Sequence, residues 1–398
     1  MRTAARLDTL GTEQAYVVLA AAKRLEARGQ HVVHLEIGEP DMPTPPHVVE
    51  ASVRALKSGL TRYALAAGVP ELREAIAQSL AARGVRAGPE NVVVTPGAKP
   101  MLFCAVLALI GPGDEVLCPD PGFPIYDSVV RFAGGRPVYY PLDETRAFAP
   151  HVEALAGKIT PRTRALILNL PHNPTGGVAT AQDLATLAEL AQRHDLWVIS
   201  DEVYGRVRYD GRCDSIAALP GMAARTVIVD GFSKTYSMTG WRLGYGVMPA
   251  SLAEPMTTLV INNVSCTATF VQYAGLAALT GPQDAVTAMV AGLAAKRDLL
   301  ARGLNAIEGI RCATPAGAFY CFPDLSGVLE RTGLTCESFA ERLLAEQHTA
   351  VLAGTAFGPA GEGHLRLCYA TERSELERAL ASIRTFVGAL TPAAAGLT

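Results

Sequence analysis

The stretch Asp230-Gly231-Phe232-Ser233-Lys234-Thr235-Tyr236-Ser237-Met238-Thr239-Gly240-Trp241-Arg242-Leu243-Gly244-Tyr245 joins two short apolar runs through a loop dense in hydroxyls and glycine. One run, Val227-Ile228-Val229, leads into the loop, and Leu243-Gly244-Tyr245-Gly246 leaves it. Short β-branched or aromatic runs bounded by turn residues read as strands. Outward from this point similar runs recur at 92–94, 115–118, 136–140, 165–169 and 196–200, separated by helical patterns near 100–110, 124–133 and 181–193. Such alternation predicts an α/β fold with a mostly parallel sheet between helices, and runs apolar on both faces predict buried strands.

Beyond about residue 250 strands become rare. An amphipathic stretch over 283–307 precedes short strands near 311–313, 319–322 and 365–369, with helices around 336–346 and 372–389, which predicts a smaller α+β domain. A helix over 13–28, ended by Gly29, and a proline-rich crossing at 40–46 predict that the N-terminal segment packs on that second domain. The expected division is a large domain at 47–282 and a small one made of 1–46 and 283–398. The last eight residues, TPAAAGLT, read as a frayed tail.

Composition agrees with two domains, since 398 residues exceed what one simple core of roughly 150 residues accommodates. The chain is 49% hydrophobic and 18% charged, which excludes disorder. With 35 basic and 38 acidic residues and no long run of one sign, it lacks the electrostatic footprint of a nucleic-acid or anionic-membrane binder. Its partner is expected to be a small molecule. Eight scattered cysteines form no C-x-x-C pair and read as reduced packing thiols. No secretory signal and no apolar run near the roughly 20 residues of a membrane span is visible, so a cytoplasmic location is expected.

The chain has six lysines, at 23, 57, 99, 158, 234 and 296, and Lys234 alone follows a strand of this apolar quality. Partial desolvation there would lower its pKa and free the amine to attack a carbonyl. On this string alone, an exposed loop lysine among capping hydroxyls is an equal alternative. Partners at the ends of other predicted strands shift the balance, because open parallel sheets bind ligands there. Asp201 follows Trp197-Val198-Ile199-Ser200 and is suited to pair with a ring-nitrogen cation; Tyr204 could donate to a phenolate oxygen. Gly97-Ala98-Lys99-Pro100 opens a helix whose free N–H groups form an anion site. Ser233 and Arg242 bracket the lysine and could serve the same anion. A loose metal spacing at His31, His34 and Glu36 reads better as a strand, given the alternating valines between the histidines.

Taken together these residues resemble the fold type I pyridoxal-5′-phosphate enzymes of the class I/II, aspartate aminotransferase-like group. The match runs from Gly38-Glu39-Pro40-Asp41 to Arg366. It rests on the Ser233-to-Tyr245 string, on Asn173-Pro174-Thr175-Gly176 after a strand, and on Arg62-Tyr63 followed by Gly68-Val69-Pro70-Glu71-Leu72-Arg73. The resemblance implies that Lys234 is the Schiff-base lysine and proton carrier, that Asp201 keeps the pyridine nitrogen protonated, and that Tyr204 and Asn173 contact the O3′ oxygen. It implies a stacking role for Phe123, and phosphate contacts from Ser233, Arg242 and the backbone of Ala98 and Lys99. Tyr63 would reach the phosphate of a neighbouring subunit, hence a homodimer with shared sites. Arg366 would take the substrate α-carboxylate, helped by Gly38 and Asn173.

Some relatives carry tryptophan where Phe123 stands and serine or threonine where Ala98 stands, so stacking and phosphate contacts differ in detail. The implied activity is a ping-pong transfer of an amino group between an amino acid and a 2-oxo acid. A different reaction on the same cofactor, such as elimination, ring closure of the ACC-synthase type or oxidation, would use nearly the same residues. A regulatory protein with an aminotransferase-like ligand domain would need an effector module, and no basic helix-turn-helix segment precedes residue 38. The pocket walls are expected around Tyr16, Ile37, residues 262–267, Phe319 and Tyr320.

Overall fold

The computed structural model describes residues 3–212 and 214–390. The eight-residue tail and Cys213 lie outside them. At its centre is an eight-stranded sheet in the order Val92–Thr95, Gly244–Val247, Thr226–Gly231, Trp197–Asp201, Thr163–Asn169, Glu115–Asp120, Arg136–Asp143, Ala149–Pro150. Five neighbouring strands, from Thr226–Gly231 to Arg136–Asp143, run parallel. They are joined by helices such as Ile125–Phe132 and Ala181–Arg193, as crossover connections require. Val227, Ile228 and Val229 on one strand and Val198 and Ile199 on the next are all buried, as strands covered on both faces must be.

Gly244–Val247 departs from the parallel reading. It pairs antiparallel with both Thr226–Gly231 and Val92–Thr95. The physical reason is the connection: residues 232–243 contain no helix that could carry the chain back across a sheet face, and a short connection permits only an antiparallel partner. The loop that holds Lys234 is thus pinned at both ends to adjacent strands.

Three core clusters draw on residues 48–286, whereas a fourth draws chiefly on residues 289–387 and also takes in Val33, Leu35, Tyr204 and Val207. In the C-terminal part, Leu365–Cys368 lies between Tyr320–Cys321 and Leu352–Ala353, antiparallel to both. The strand expected near 311–313 does not form. Arg311 makes a single bridge to Asp324, and the backbone N–H and C=O of Cys312 are taken by the Asn305 side chain, both at 2.9 Å, leaving nothing for a ladder.

The N-terminal helix spans Gln14–Glu26, two residues shorter at its end than expected, and Gly29 follows with φ of +82°, a left-handed value glycine adopts without strain. Its Ala22, flanked by Val18, Ala21 and Leu25, packs on Val32, Leu344 and Ala350, as the sequence predicts. The His31, His34 and Glu36 group is occupied by pairing: His34 bonds Glu36 at 2.8 Å and Glu26 at 3.2 Å, and His31 bonds Glu375 at 3.0 Å. The seven described cysteines are unpaired and six are buried, consistent with packing thiols. Among the described residues no helix is long and apolar enough to cross a membrane.

Candidate active site

The C-terminal ends of the strands open into a cavity of about 550 Å³. Asp201, the last residue of Trp197–Asp201, is buried there. Its carboxylate accepts from the Tyr126 hydroxyl at 2.8 Å and from the Val203 N–H at 3.3 Å. Burial is the largest influence on it and pushes its pKa up to about 6, while the Tyr126 hydrogen bond works against that. A carboxylate so placed is poised to gain a cationic partner. Glu202, next in the chain, is anchored by the hydroxyls of Ser200 and Ser215, both at 2.7 Å, and by Arg83, which fixes the strand end.

Lys234 stands in the loop after Thr226–Gly231 and donates to the Gly38 carbonyl at 2.5 Å. Its amine lies 5.8 Å from the centre of the buried Phe319 ring. Desolvation lowers its pKa to about 8, with smaller contributions from Arg366 and Arg242 in the same direction. Gly38 has no room for a side chain, because a Cβ there would run into the Tyr320 hydroxyl. That hydroxyl hydrogen-bonds Tyr204 at 2.7 Å.

Gly97 caps the helix Ala98–Leu109 with φ of +97°, and a Cβ on it would collide with the Arg242 guanidinium. Glycine is favoured here by the left-handed backbone, and its lack of a side chain lets the Arg242 guanidinium come close. The open N–H groups of Ala98 and Lys99 and the nearby Arg242 and Ser233 make a cradle for an anion, in which Arg242 is steadied by the Thr239 carbonyl at 2.8 Å. Phe123 borders the same cavity and meets Tyr126 edge-on, with ring centres 5.8 Å apart.

Arg366 is buried in the strand Leu365–Cys368. It donates to Asn173 Oδ1 at 3.2 Å and to the Glu36 carbonyl, and its guanidinium lies over the rings of Tyr320 and Phe357 at 4.6 and 4.9 Å. Among the described residues it pairs with no carboxylate, and its Nε is buried without a partner. An unneutralised buried cation facing a cavity calls for an anionic ligand. Asn173 is itself held by Asn169, whose Oδ1 accepts from the Asn173 N–H at 2.8 Å.

All the residues singled out from the sequence thus border this one cavity except Tyr63, which is 89% exposed and stands apart from it. Of the expected walls, Tyr16, Ile37 and Tyr320 line the cavity, Phe319 lies beneath Lys234, and residues 262–267 do not contribute within one chain. Sequence reasoning missed Tyr126, Asn169 and Glu13. Tyr126 had a readable signal: it stands in the first turn of the helix Ile125–Phe132, just after the cavity-lining Phe123.

The donor set fits pyridoxal 5′-phosphate, since one cavity holds an anion cradle at a helix start, a buried carboxylate suited to a ring-nitrogen cation, and an amine of lowered pKa. Comparison with known proteins points the same way. The family model for aminotransferase class I and II matches residues 30–383. An aspartate aminotransferase of Pyrococcus abyssi is 43% identical over 354 residues, covering 88% of this chain and 90% of its own. Aromatic-amino-acid aminotransferase 2 of Thermococcus litoralis is 41% identical over 354 residues, with 88% of this chain and 90% of its own covered. The solved aspartate aminotransferase of Rhizobium meliloti superposes with a TM-score of 0.93 at 36% identity, covering 98% of this chain and 100% of that one. The chain belongs to the class I and II aminotransferases, enzymes that use pyridoxal 5′-phosphate to move an amino group between an amino acid and a 2-oxo acid.

Proposed function

We propose that Lys234 is both the covalent anchor of the cofactor and the proton carrier, and that Arg366 holds the α-carboxylate of amino-acid and oxo-acid substrates alike. The observation carrying this reading is the buried Arg366 guanidinium, which has no protein carboxylate among the described residues and borders the same cavity as the Lys234 amine. The cofactor, when bound, supplies an electron sink for the substrate carbon that loses its proton. Asp201 would hold the ring nitrogen, Tyr204 and Asn173 the ring oxygen, and Phe123 the ring face. Ser233, Arg242 and the N–H groups of Ala98 and Lys99 would hold the phosphate. Lys234, with a pKa near 8, can both take and give a proton close to neutral pH. Gly38, whose carbonyl accepts from Lys234, orients that amine.

An amino acid and a 2-oxo acid share only the carboxylate and the reacting centre, so one fixed fork can position both. Arg366→Lys keeps the charge and loses the fork. Single-turnover rates of both half-reactions, followed by loss and return of the holoenzyme's visible absorbance, are expected to fall together. The loss of a charged hydrogen bond, about 1.5–3 kcal/mol, corresponds to roughly 10- to 150-fold. A loss of thermal stability with turnover intact would assign Arg366 a structural role instead.

The finer reading includes a homodimer with shared sites, supported by Tyr63 and by the exposed Leu65, Val49, Val53 and Leu56, which present apolar surface on and after the helix Pro46–Lys57. Mixing Lys234→Ala protomers with Tyr63→Phe protomers should restore part of the activity, since some hybrid sites receive both intact groups. An active monomer at working concentration would contradict it. Domains at 47–282 and at 1–46 with 283–398 accord with the separate core clusters, and unpaired buried cysteines accord with a reducing, cytoplasmic location. The relatives' names include both aspartate and aromatic amino acids, so substrate class must come from the pocket.

A further inference from the structure

We infer that the ion pair between Glu13 and Lys99 sets the substrate class of this site, disfavouring a side-chain carboxylate and admitting neutral, apolar side chains. The inference rests on the reading that Arg366 takes the α-carboxylate. Capping does not account for Glu13, whose charge only the helix dipole favours, and the dipole opposes Lys99. Glu13 occupies the N-cap of the helix Gln14–Glu26, a place suited to Ser, Thr, Asp or Asn, and its side chain makes no capping bond. It reaches instead to the Lys99 ammonium, across the chain. Lys99 stands in the first turn of Ala98–Leu109, where the helix dipole disfavours a cation. The pair is partly exposed, with side-chain exposures of 25% for Glu13 and 42% for Lys99, so it adds little to stability. What the two residues have in common is that both line the cavity.

Among the described lining residues the cations are Lys99, Lys234, Arg242 and Arg366, and the anions are Glu13, Glu39 and Asp201. Lys234, Arg242, Arg366 and Asp201 have roles in the proposed reaction, and Glu39 accepts from the Thr239 hydroxyl. Lys99 is the remaining cation. Its ammonium is neutralised by Glu13 and lies 5.5 Å from the centre of the Phe123 ring. Among the groups that one chain supplies, a second carboxylate on the substrate would meet no uncommitted cation and would approach the Glu13 carboxylate, a like charge in a partly desolvated place. Beside the pair, Ala15, Tyr16, Leu19 and Ile37 offer apolar contact. A neutral aliphatic or aromatic side chain gains from that wall and disturbs no charge.

The test is a comparison of single-turnover rate constants of the holoenzyme with L-aspartate and L-glutamate against L-phenylalanine and L-leucine. The wild type is expected to favour the apolar pair. Glu13→Gln frees Lys99 with little change of shape and should raise the acidic-to-apolar ratio about tenfold or more, the scale of one charge-assisted contact. Adding Lys99→Met to Glu13→Gln should abolish that gain, which a purely structural effect of Glu13 would not do. A wild type that prefers aspartate, or a ratio that Glu13→Gln leaves unmoved, overturns the inference. Failure of every amino acid to react would instead bring down the underlying assignment of the site, and the inference with it.

Discussion

Lys234→Ala should abolish turnover while leaving cofactor binding in place. The expected loss is at least the roughly 10²- to 10⁴-fold that a positioned acid–base group contributes. The amine sits against the Gly38 carbonyl with its pKa brought down to about 8 by desolvation, and no neighbouring group can replace it. Lys99 is the other lysine lining the cavity, but its ammonium is engaged by Glu13 at the first turn of a helix. Borohydride reduction of the yellow holoenzyme followed by peptide mapping checks the anchor directly. The stable label should fall on the peptide containing Lys234; a label on Lys99, or none, would overturn the assignment.

The second large effect is expected at Asp201. Removing one partner of a buried charge pair costs about 3–5 kcal/mol, so Asp201→Ala should lower turnover by roughly 10²- to 10⁴-fold even where cofactor still binds. The sign of the pH dependence follows from its pKa, raised from 3.8 to about 6 by burial. In the cofactor-free protein the charged form is disfavoured, so the stability contribution is full below the unfolded value of 3.8 and is lost as pH rises through about 6. A cation docked on the carboxylate removes that loss. The Tm difference between cofactor-loaded and cofactor-free enzyme should therefore widen from pH 5 to pH 7, and Asp201→Asn should flatten the trend. A wild-type rate for Asp201→Ala would refute the role.

Much of the site was legible because its members stand at the ends of apolar runs, where a polar residue is conspicuous. Asp201 after Trp197–Asp201's valine and isoleucine, and Lys234 just past Thr226–Gly231, are of this kind. Apolar runs report burial but not direction, so the antiparallel course of Gly244–Val247 was hidden until the connection at 232–243 was seen to lack a helix. The short run at 311–313 misled for a related reason. Its composition suits a strand, yet the Asn305 side chain takes the backbone groups that a ladder would have used. Asn169 was read as part of a strand and nothing more, because its work, holding the Asn173 backbone, depends on the turn between them.

By itself, the amino-acid sequence determined the alternation of strands and helices between residues 92 and 201, the glycine at the start of Ala98–Leu109 and the family to which the chain belongs. All of these follow from local periodicity, local conformational preference or contiguous motifs. Only the tertiary structure decided which charges meet. Arg366 reaches Asn173 from 193 residues away, Lys99 reaches Glu13 from 86, and Tyr126 reaches Asp201 from 75. The first two depend on how the C-terminal layer and the N-terminal helix settle over the sheet, and the third on how a crossover helix packs against it. That arrangement is set by the summed burial of several cores, and no single stretch of sequence encodes it.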